Sequence, residues 1–271
     1  SRKKIKILLI NKNLVFGELY FASTTPITSA YIFLITLNNS TPLISFVQSR
    51  CIEVFLTILF IDSYCCFVVY PRVNKVSACS INSSANEGPF KVIILSSIGK
   101  VFCAGHNLKD LNSKRSENDN GELYYKKLFQ MCSELMIRIN KHSKPVIAMI
   151  DGIATAAGCQ LISSCDLAYA SENSQFATPG VNIGLFCSTP MVALSRTVGK
   201  KHAMEMLLTG DLIDAKKALS IGLINNVFET KKLEEDVLKI AIKIASKSSS
   251  TIKIGKEAFY KQKDMNLEDA Y

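Results

Sequence analysis

Apolar positions along the second two thirds of the chain recur with two periods. Between Glu122 and Lys141 they fall at Tyr125, Leu128, Phe129, Cys132, Leu135, Met136 and Ile139, the spacing of one helix face. Lys91–Ser96 and Pro145–Ile150 are instead short continuous apolar runs, as expected of buried strands, and Asp151-Gly152 turns the second. Ala156-Ala157-Gly158 opens a helix that continues through Leu161 and Ile162. Further helices are predicted over Lys200–Leu208, stopped by Gly210, over Asp214–Ser220 with Asp214 as N-cap and Gly222 as stop, and over Leu233–Ser246. A strand over Leu223–Phe228 lies between the last two. Strands alternating with helices predict an α/β domain from about residue 82 to residue 271.

The first 81 residues have another texture. No charged residue occurs between Glu18 and Arg50, and apolar clusters at Tyr31–Leu37 and Leu43–Val47 show no amphipathic period. Val54–Tyr70 is apolar, but Asp62 interrupts it, and the run before Asp62 is about half of the roughly 20 residues a membrane helix needs. A membrane span is not expected. Arg2, Lys3, Lys4 and Lys6 precede only a short apolar stretch, Ile7–Ile10, which does not make an export signal. Residues 1 to 81 are expected to be an unmatched apolar segment, foreign or poorly ordered, that packs poorly on the rest.

Charge changes this picture little. Of the chain's formal +9, the first 81 residues contribute +5, from Arg2, Lys3, Lys4, Lys6, Lys12, Arg50, Arg72 and Lys75 against Glu18, Glu53 and Asp62. The remainder is mildly basic, without the Lys/Arg stripe interleaved with aromatics that marks a nucleic-acid surface, so no nucleic-acid partner is expected. The nine cysteines are scattered, odd in number and without a CxxC pair. They read as reduced, buried thiols of an intracellular protein rather than a disulfide framework. No cluster has metal-ligand spacing.

Candidate chemistry lies in two loops of small residues that each lead from a strand toward a helix, Val101–Leu108 and Gly152–Gln160. Small side chains let a ligand approach the backbone, and N–H groups at a helix start are unpaired and sit at the positive end of its dipole. Two such loops can meet one developing oxyanion. Small residues at such turns also serve close packing, and residue type alone leaves both readings open.

The order and spacing of several motifs resolve the choice. Val92-Ile93-Ile94-Leu95, Phe102-Cys103-Ala104-Gly105-His106-Asn107-Leu108-Lys109, Lys144-Pro145-Val146-Ile147-Ala148, Gly158-Cys159-Gln160-Leu161, Cys165-Asp166, Phe176-Ala177-Thr178-Pro179 and Met204–Gly210 together resemble the crotonase (enoyl-CoA hydratase/isomerase) family from about Asn82 onward. The resemblance implies a ββα spiral, incomplete at both ends, with the family's C-terminal helices cut short. It implies backbone donors at His106 and Ala157 for the thioester carbonyl of an acyl-CoA. The backbone from Ala104 to Leu108 would hold the adenine end of the CoA. Gly105, Leu108, Gly158, Gly180 and Cys187 would complete the substrate site. Coenzyme A enters as part of a thioester substrate or ligand, and no other cofactor is implied. A mitochondrial location and a parent trimer or hexamer are implied too.

The departures from the family pattern bear on catalysis. Two glutamates that handle water in hydrating members are here Gln160 and Gly180, so acid–base chemistry is lost at both. Asn107 replaces a more common Asp, affecting a local hydrogen bond. The leading expectation is an acyl-CoA-binding homologue of fatty-acid/acyl-CoA metabolism with its oxyanion hole retained and hydratase activity doubtful. The alternatives are an active lyase or isomerase using another base such as the His106 side chain, and a non-functional fragment with a foreign N-terminal third. Cys187 reads as a pocket-lining thiol rather than a nucleophile. Asp166 and Glu172 read as residues that begin or end elements, and His142 and His202 as helix-end groups. If the site only awaits its missing groups, Gln160→Glu with Gly180→Glu should raise crotonyl-CoA hydration.

Overall fold

The computed structural model describes residues 6–11, 14–20, 33–34 and 75–80 as backbone strands, and residues 91–97 and 99–271 with their side chains. Three successive units of the chain each give one strand to a large sheet, one to a small sheet, and then a helical segment. In the first, β5 (Val92–Ser96) is followed by β6 (Val101–Cys103) and by helices α1 (Leu108–Ser113) and α2 (Glu122–Lys141). In the second, β7 (Val146–Ile150) leads to β8 (Ile153–Thr155) and α3 (Ala157–Ser164). In the third, β9 (Leu167–Ser171) leads to β10 (Gln175–Ala177), a 3-10 turn over Pro179–Ile183, α4 (Ser188–Leu194) and α5 (Lys200–Thr209). Strands β5, β7 and β9 pair in parallel in one sheet, and β6, β8 and β10 in the other. Parallel neighbours need crossovers, and the helices supply them. This is the ββα spiral.

The chain then forms β11 (Ile213–Asp214), which closes the small sheet beside β10, α6 (Ala215–Ser220), and β12 (Asn226–Phe228), which edges the large one beside β9. Helices α7 (Leu233–Ala245), α8 (Ser249–Gln262) and α9 (Leu267–Ala270) follow. Side chains alternate across β5 and β7, and both faces of the sheet are buried, which explains their continuous apolar runs. Ile93, Val146, Ala148 and Ile150 face a core completed by Phe102, Leu128 and others. Val92, Ile94, Ile147 and Met149 face the opposite way, under Leu233, Val237, Ala241 and Ala245 of α7.

The large sheet continues past β5 through β4 (Lys75–Ser80), β1 (Lys6–Asn11), β2 (Leu14–Tyr20) and β3 (Phe33–Leu34). Strand β4 is antiparallel to β5, with Lys75 opposite Ser96, and parallel to β1. These strands are the described part of residues 1 to 81, the segment expected to be unmatched and to pack poorly on the rest. The edge of β5 away from β7 is a row of backbone donors and acceptors that needs a partner, and β4 provides one. The remaining residues of that span lie outside the described ones, among them the run Val54–Tyr70. No described helix is long and apolar enough to cross a membrane.

Element limits elsewhere shift modestly. The strand predicted over Leu223–Phe228 shortens to β12, because Leu223 and Ile224 are buried in the turn that precedes it. The sequence reading had no counterpart for β6, β8 to β11, α1, α4, α8 or α9.

Candidate functional site

The two small-residue loops meet backbone to backbone. Strands β6 and β8 are parallel neighbours, with Val101 opposite Ile153 and Cys103 opposite Ala154, so the chain leaves both strands at the same end of the small sheet. Gly105 has φ +91°, and a Cβ there would lie 2.9 Å from the Ala156 Cβ and 3.3 Å from the Ala157 nitrogen. Gly158 is equally committed, since a Cβ would fall 2.1 Å from the Cys103 carbonyl oxygen. The Thr155 hydroxyl donates to the Ala104 carbonyl at 3.3 Å and joins the loops again. Glycine at 105 and 158 therefore serves close approach, and that approach brings the residue after Gly105, His106, to the start of α3 at Ala157.

Ala156 takes the unusual backbone geometry at this junction, φ 52° and ψ −117°, a region disfavoured for residues with a side chain. Its N–H donates to Ala177 of β10 at 3.0 Å, and its carbonyl accepts from the Gln160 N–H at 3.1 Å, so the turn is held from both sides. Ala156→Gly is expected to relieve that strain and, after allowing for glycine's greater entropy in the unfolded chain, to stabilise by about 1 kcal/mol. Thermal melts should show Tm higher by about 2 °C. An unchanged or lower Tm would mean the turn holds no strain.

On the first loop, Ala104 and Leu108 are exposed at the rim, whereas Gly105 is buried. Asn107 is the N-cap of α1, its amide oxygen accepting from the Lys109 N–H at 3.0 Å, a task an amide performs as well as a carboxylate. The His106 ring packs edge-on against Phe129 of α2, with centroids 5.8 Å apart.

Gln160, one turn into α3, is 4% exposed, and its Oε1 accepts from the Cys132 thiol of α2 at 3.8 Å. Sequence reasoning missed Cys132 as a site residue. Its position in the apolar stripe of α2 marks it as core, and no local pattern links residues 132 and 160.

Gly180 sits under the turn that follows it. Its carbonyl accepts from the Leu185 N–H at 2.9 Å, and its N–H donates to Cys187 Sγ at 3.3 Å. A Cβ at position 180 would lie 2.9 Å from both the Leu185 carbonyl oxygen and Cys187 Sγ. Cys187 is 8% exposed, and burial raises its pKa, with the Gly180 N–H opposing. A raised thiol is a poor nucleophile at neutral pH, in keeping with a lining role. Burial likewise pushes Cys103 up to about 11 and Cys159 up to about 12, so both are neutral thiols.

The remaining candidates lie outside this junction. Asp166 lies between α3 and β9 but also forms a buried ion pair with Lys256 at 2.6 Å. The Glu172 N–H donates to Phe228 in the turn after β9. His142, at the end of α2, accepts from the Lys144 N–H through Nδ1 at 3.0 Å, and burial lowers its pKa. His202 is half-buried, 3.7 Å from Glu205. No group of residues able to hold a metal ion occurs among the described residues.

Comparison with known proteins agrees with the fold. The profile of the enoyl-CoA hydratase/isomerase family matches residues 78–271. Enoyl-CoA hydratase domain-containing protein 3, mitochondrial, of Rattus norvegicus is 52% identical over 187 residues, covering 69% of this chain and 61% of that protein. The mitochondrial enoyl-CoA hydratase of Pongo abelii is 35% identical over 178 residues, covering 65% of this chain and 59% of its own length. The chain thus spans about 61% of the first of these relatives. The crystal structure of human enoyl coenzyme A hydratase domain-containing protein 3 superposes with a TM-score of 0.64 at 50% identity, covering 69% of this chain and 72% of that one. A family profile over most of the chain, with the same spiral in a relative of half-identical sequence, shows that this chain belongs to the enoyl-CoA hydratase/isomerase family of the crotonase superfamily.

Proposed function

We propose that residues 82–271 form an acyl-CoA thioester site in which the N–H groups of His106 and Ala157 receive the thioester oxygen and which hydrates enoyl-CoA slowly or not at all. The observation that carries this reading is the approach of Gly105 to the Ala157 nitrogen, 3.3 Å from where a Cβ would stand. That approach supports a pairing of the His106 and Ala157 amides on one oxygen. The first N–H groups of a helix lack intrahelical partners, so Ala157 offers its donor at the positive end of the α3 dipole. Donors fixed before reaction stabilise negative charge on a thioester oxygen without reorganising, and one of them is worth on the order of a hundredfold in rate.

Polarisation alone does not add water. Hydration needs a group to take the water's proton and one to protonate carbon, and neither Gln160 nor Gly180 exchanges a proton near neutral pH. Ala104 and Leu108 at the rim suit contact with the nucleotide end of the CoA, while Gly158, Gly180 and Cys187 border the acyl end. By likeness to relatives named mitochondrial, the site works on acyl-CoA in that compartment, in a homotrimer or hexamer of the full-length protein. The edge-on packing of His106 against Phe129 favours its backbone role over that of a general base.

Calorimetry with a thioether analogue of butyryl-CoA and a crotonyl-CoA hydration assay on the same sample test both halves. The expected result is saturable binding with turnover well below the roughly 1 per second at which enzymes commonly begin. Absence of binding would sink the acyl-CoA reading. Hydration at 1 per second or faster would sink the claim of lost hydratase chemistry.

A further inference from the structure

We infer that Cys132 is a positioning residue which turns the Gln160 amide so that its NH2 group, rather than its oxygen, faces the acyl chain, and that the site thereby selects thioesters carrying a neutral acceptor oxygen at C3, the 3-oxoacyl class. The inference rests on the reading of the pocket as an acyl-thioester site.

Cys132 is fully buried, and its Sγ lies 3.8 Å from Gln160 Oε1, within reach of an S–H···O hydrogen bond. A thiol is a poor acceptor and an amide oxygen a good one, so this pairing fixes which end of the amide meets the sulfur. Oε1 is the side-chain atom of Gln160 that meets the sulfur, which leaves Nε2 as the end of the amide turned to the acyl chain in this proposal. Helical side chains lean toward the helix N-terminus, and Gln160 stands three residues after Ala157 on the same face. The proposal therefore places its NH2 group on the side of the thioester donor, within reach of the first carbons of the acyl chain.

A buried donor discriminates chiefly against ligands that leave it unpaired. A saturated acyl chain strips water from the amide and returns nothing, whereas a 3-oxo group accepts its hydrogen bond. A carboxylate at C3 also accepts, but burying its charge beside residues only 0% and 4% exposed costs more than burying a carbonyl.

Affinities of the full chain for butyryl-CoA, acetoacetyl-CoA and malonyl-CoA, measured by calorimetry, test the assignment. Acetoacetyl-CoA is expected to bind roughly tenfold tighter than butyryl-CoA, the worth of one neutral hydrogen bond. Gln160→Met should bring that ratio to about 1. Cys132→Val should lower it severalfold by letting the amide turn, and Cys132→Ser, whose hydroxyl also donates, should restore it. The ratio separates positioning from stability, because a merely structural role for Cys132 would weaken both ligands alike. Equal affinities in the unaltered protein, a tenfold ratio that survives Gln160→Met, or preference for malonyl-CoA would each overturn the inference while leaving the acyl-CoA reading standing. Failure of all three thioesters to bind would overturn that reading itself.

Discussion

Replacing Lys256 with methionine is expected to destabilise the protein by about 3 to 5 kcal/mol, the usual cost of stranding a buried charge. The Lys256 side chain is 7% exposed, and its ammonium lies 2.6 Å from Asp166 Oδ2 and also donates to the carbonyls of Ile139 and Lys144, each at 3.1 Å. Asp166 accepts further from the Val146 N–H at 2.7 Å and the Tyr260 hydroxyl at 2.9 Å. Removing the ammonium leaves a carboxylate 15% exposed without its counter-charge. The loss also loosens α8, which has no fully buried residue and is fastened largely through Lys256 and Tyr260. Urea denaturation should show the drop, and limited proteolysis should find new cleavage within α8. Lys126→Met, which breaks an ion pair whose side chains are 74% and 65% exposed, should change stability by less than about 1 kcal/mol. A Lys256 effect equally small would mean the pair is not holding the helix.

That helix also shows where sequence reading stops. Hydrophobic periodicity finds α2, because Leu128, Cys132, Met136 and Ile139 bury one stripe of it. It passes over α8, whose attachment runs through a lysine and a tyrosine. Strands β6, β8 and β10 have three residues each, too few to display a period. None of the three was read as a strand, and only the glycine-bearing loops that follow β6 and β8 marked that part of the chain. The same residues made the meeting of the two loops readable, since Gly105 and Gly158 are required by contacts that any side chain would violate. The Cys132–Gln160 contact was not readable, because it joins two helices across 28 residues. Nor was the closure over Gly180, because the atoms that fill the space include a main-chain carbonyl, that of Leu185, which no residue type announces.

That closure reverses the expectation for restored glutamates. Gln160→Glu with Gly180→Glu is expected to give no useful gain in crotonyl-CoA hydration, less than about tenfold, with a stability loss of about 1 to 3 kcal/mol from overpacking at position 180. The first atom of any side chain there would meet the Leu185 carbonyl oxygen and Cys187 Sγ at 2.9 Å. It would also crowd the Cys187 nitrogen at 3.2 Å, so the turn must open before a carboxylate can be placed. Gln160→Glu raises a separate difficulty. At 4% exposure, beside the buried Cys132 and with Gln160 bonded to no cation among the described residues, burial would hold the new carboxyl's pKa above the ordinary glutamate range. A folded-state pKa raised in an acid means the unfolded chain ionises first. Stability relative to the unaltered protein is therefore preserved at low pH and lost as pH rises through the raised value. Urea midpoints of Gln160→Glu at pH 5 and pH 8 should show the larger deficit at pH 8, while Gly180→Ala should show a deficit that does not depend on pH. A hundredfold rise in hydration by the double variant, with stability intact, would show that the turn over Gly180 opens freely and that the pocket lacks only its acids.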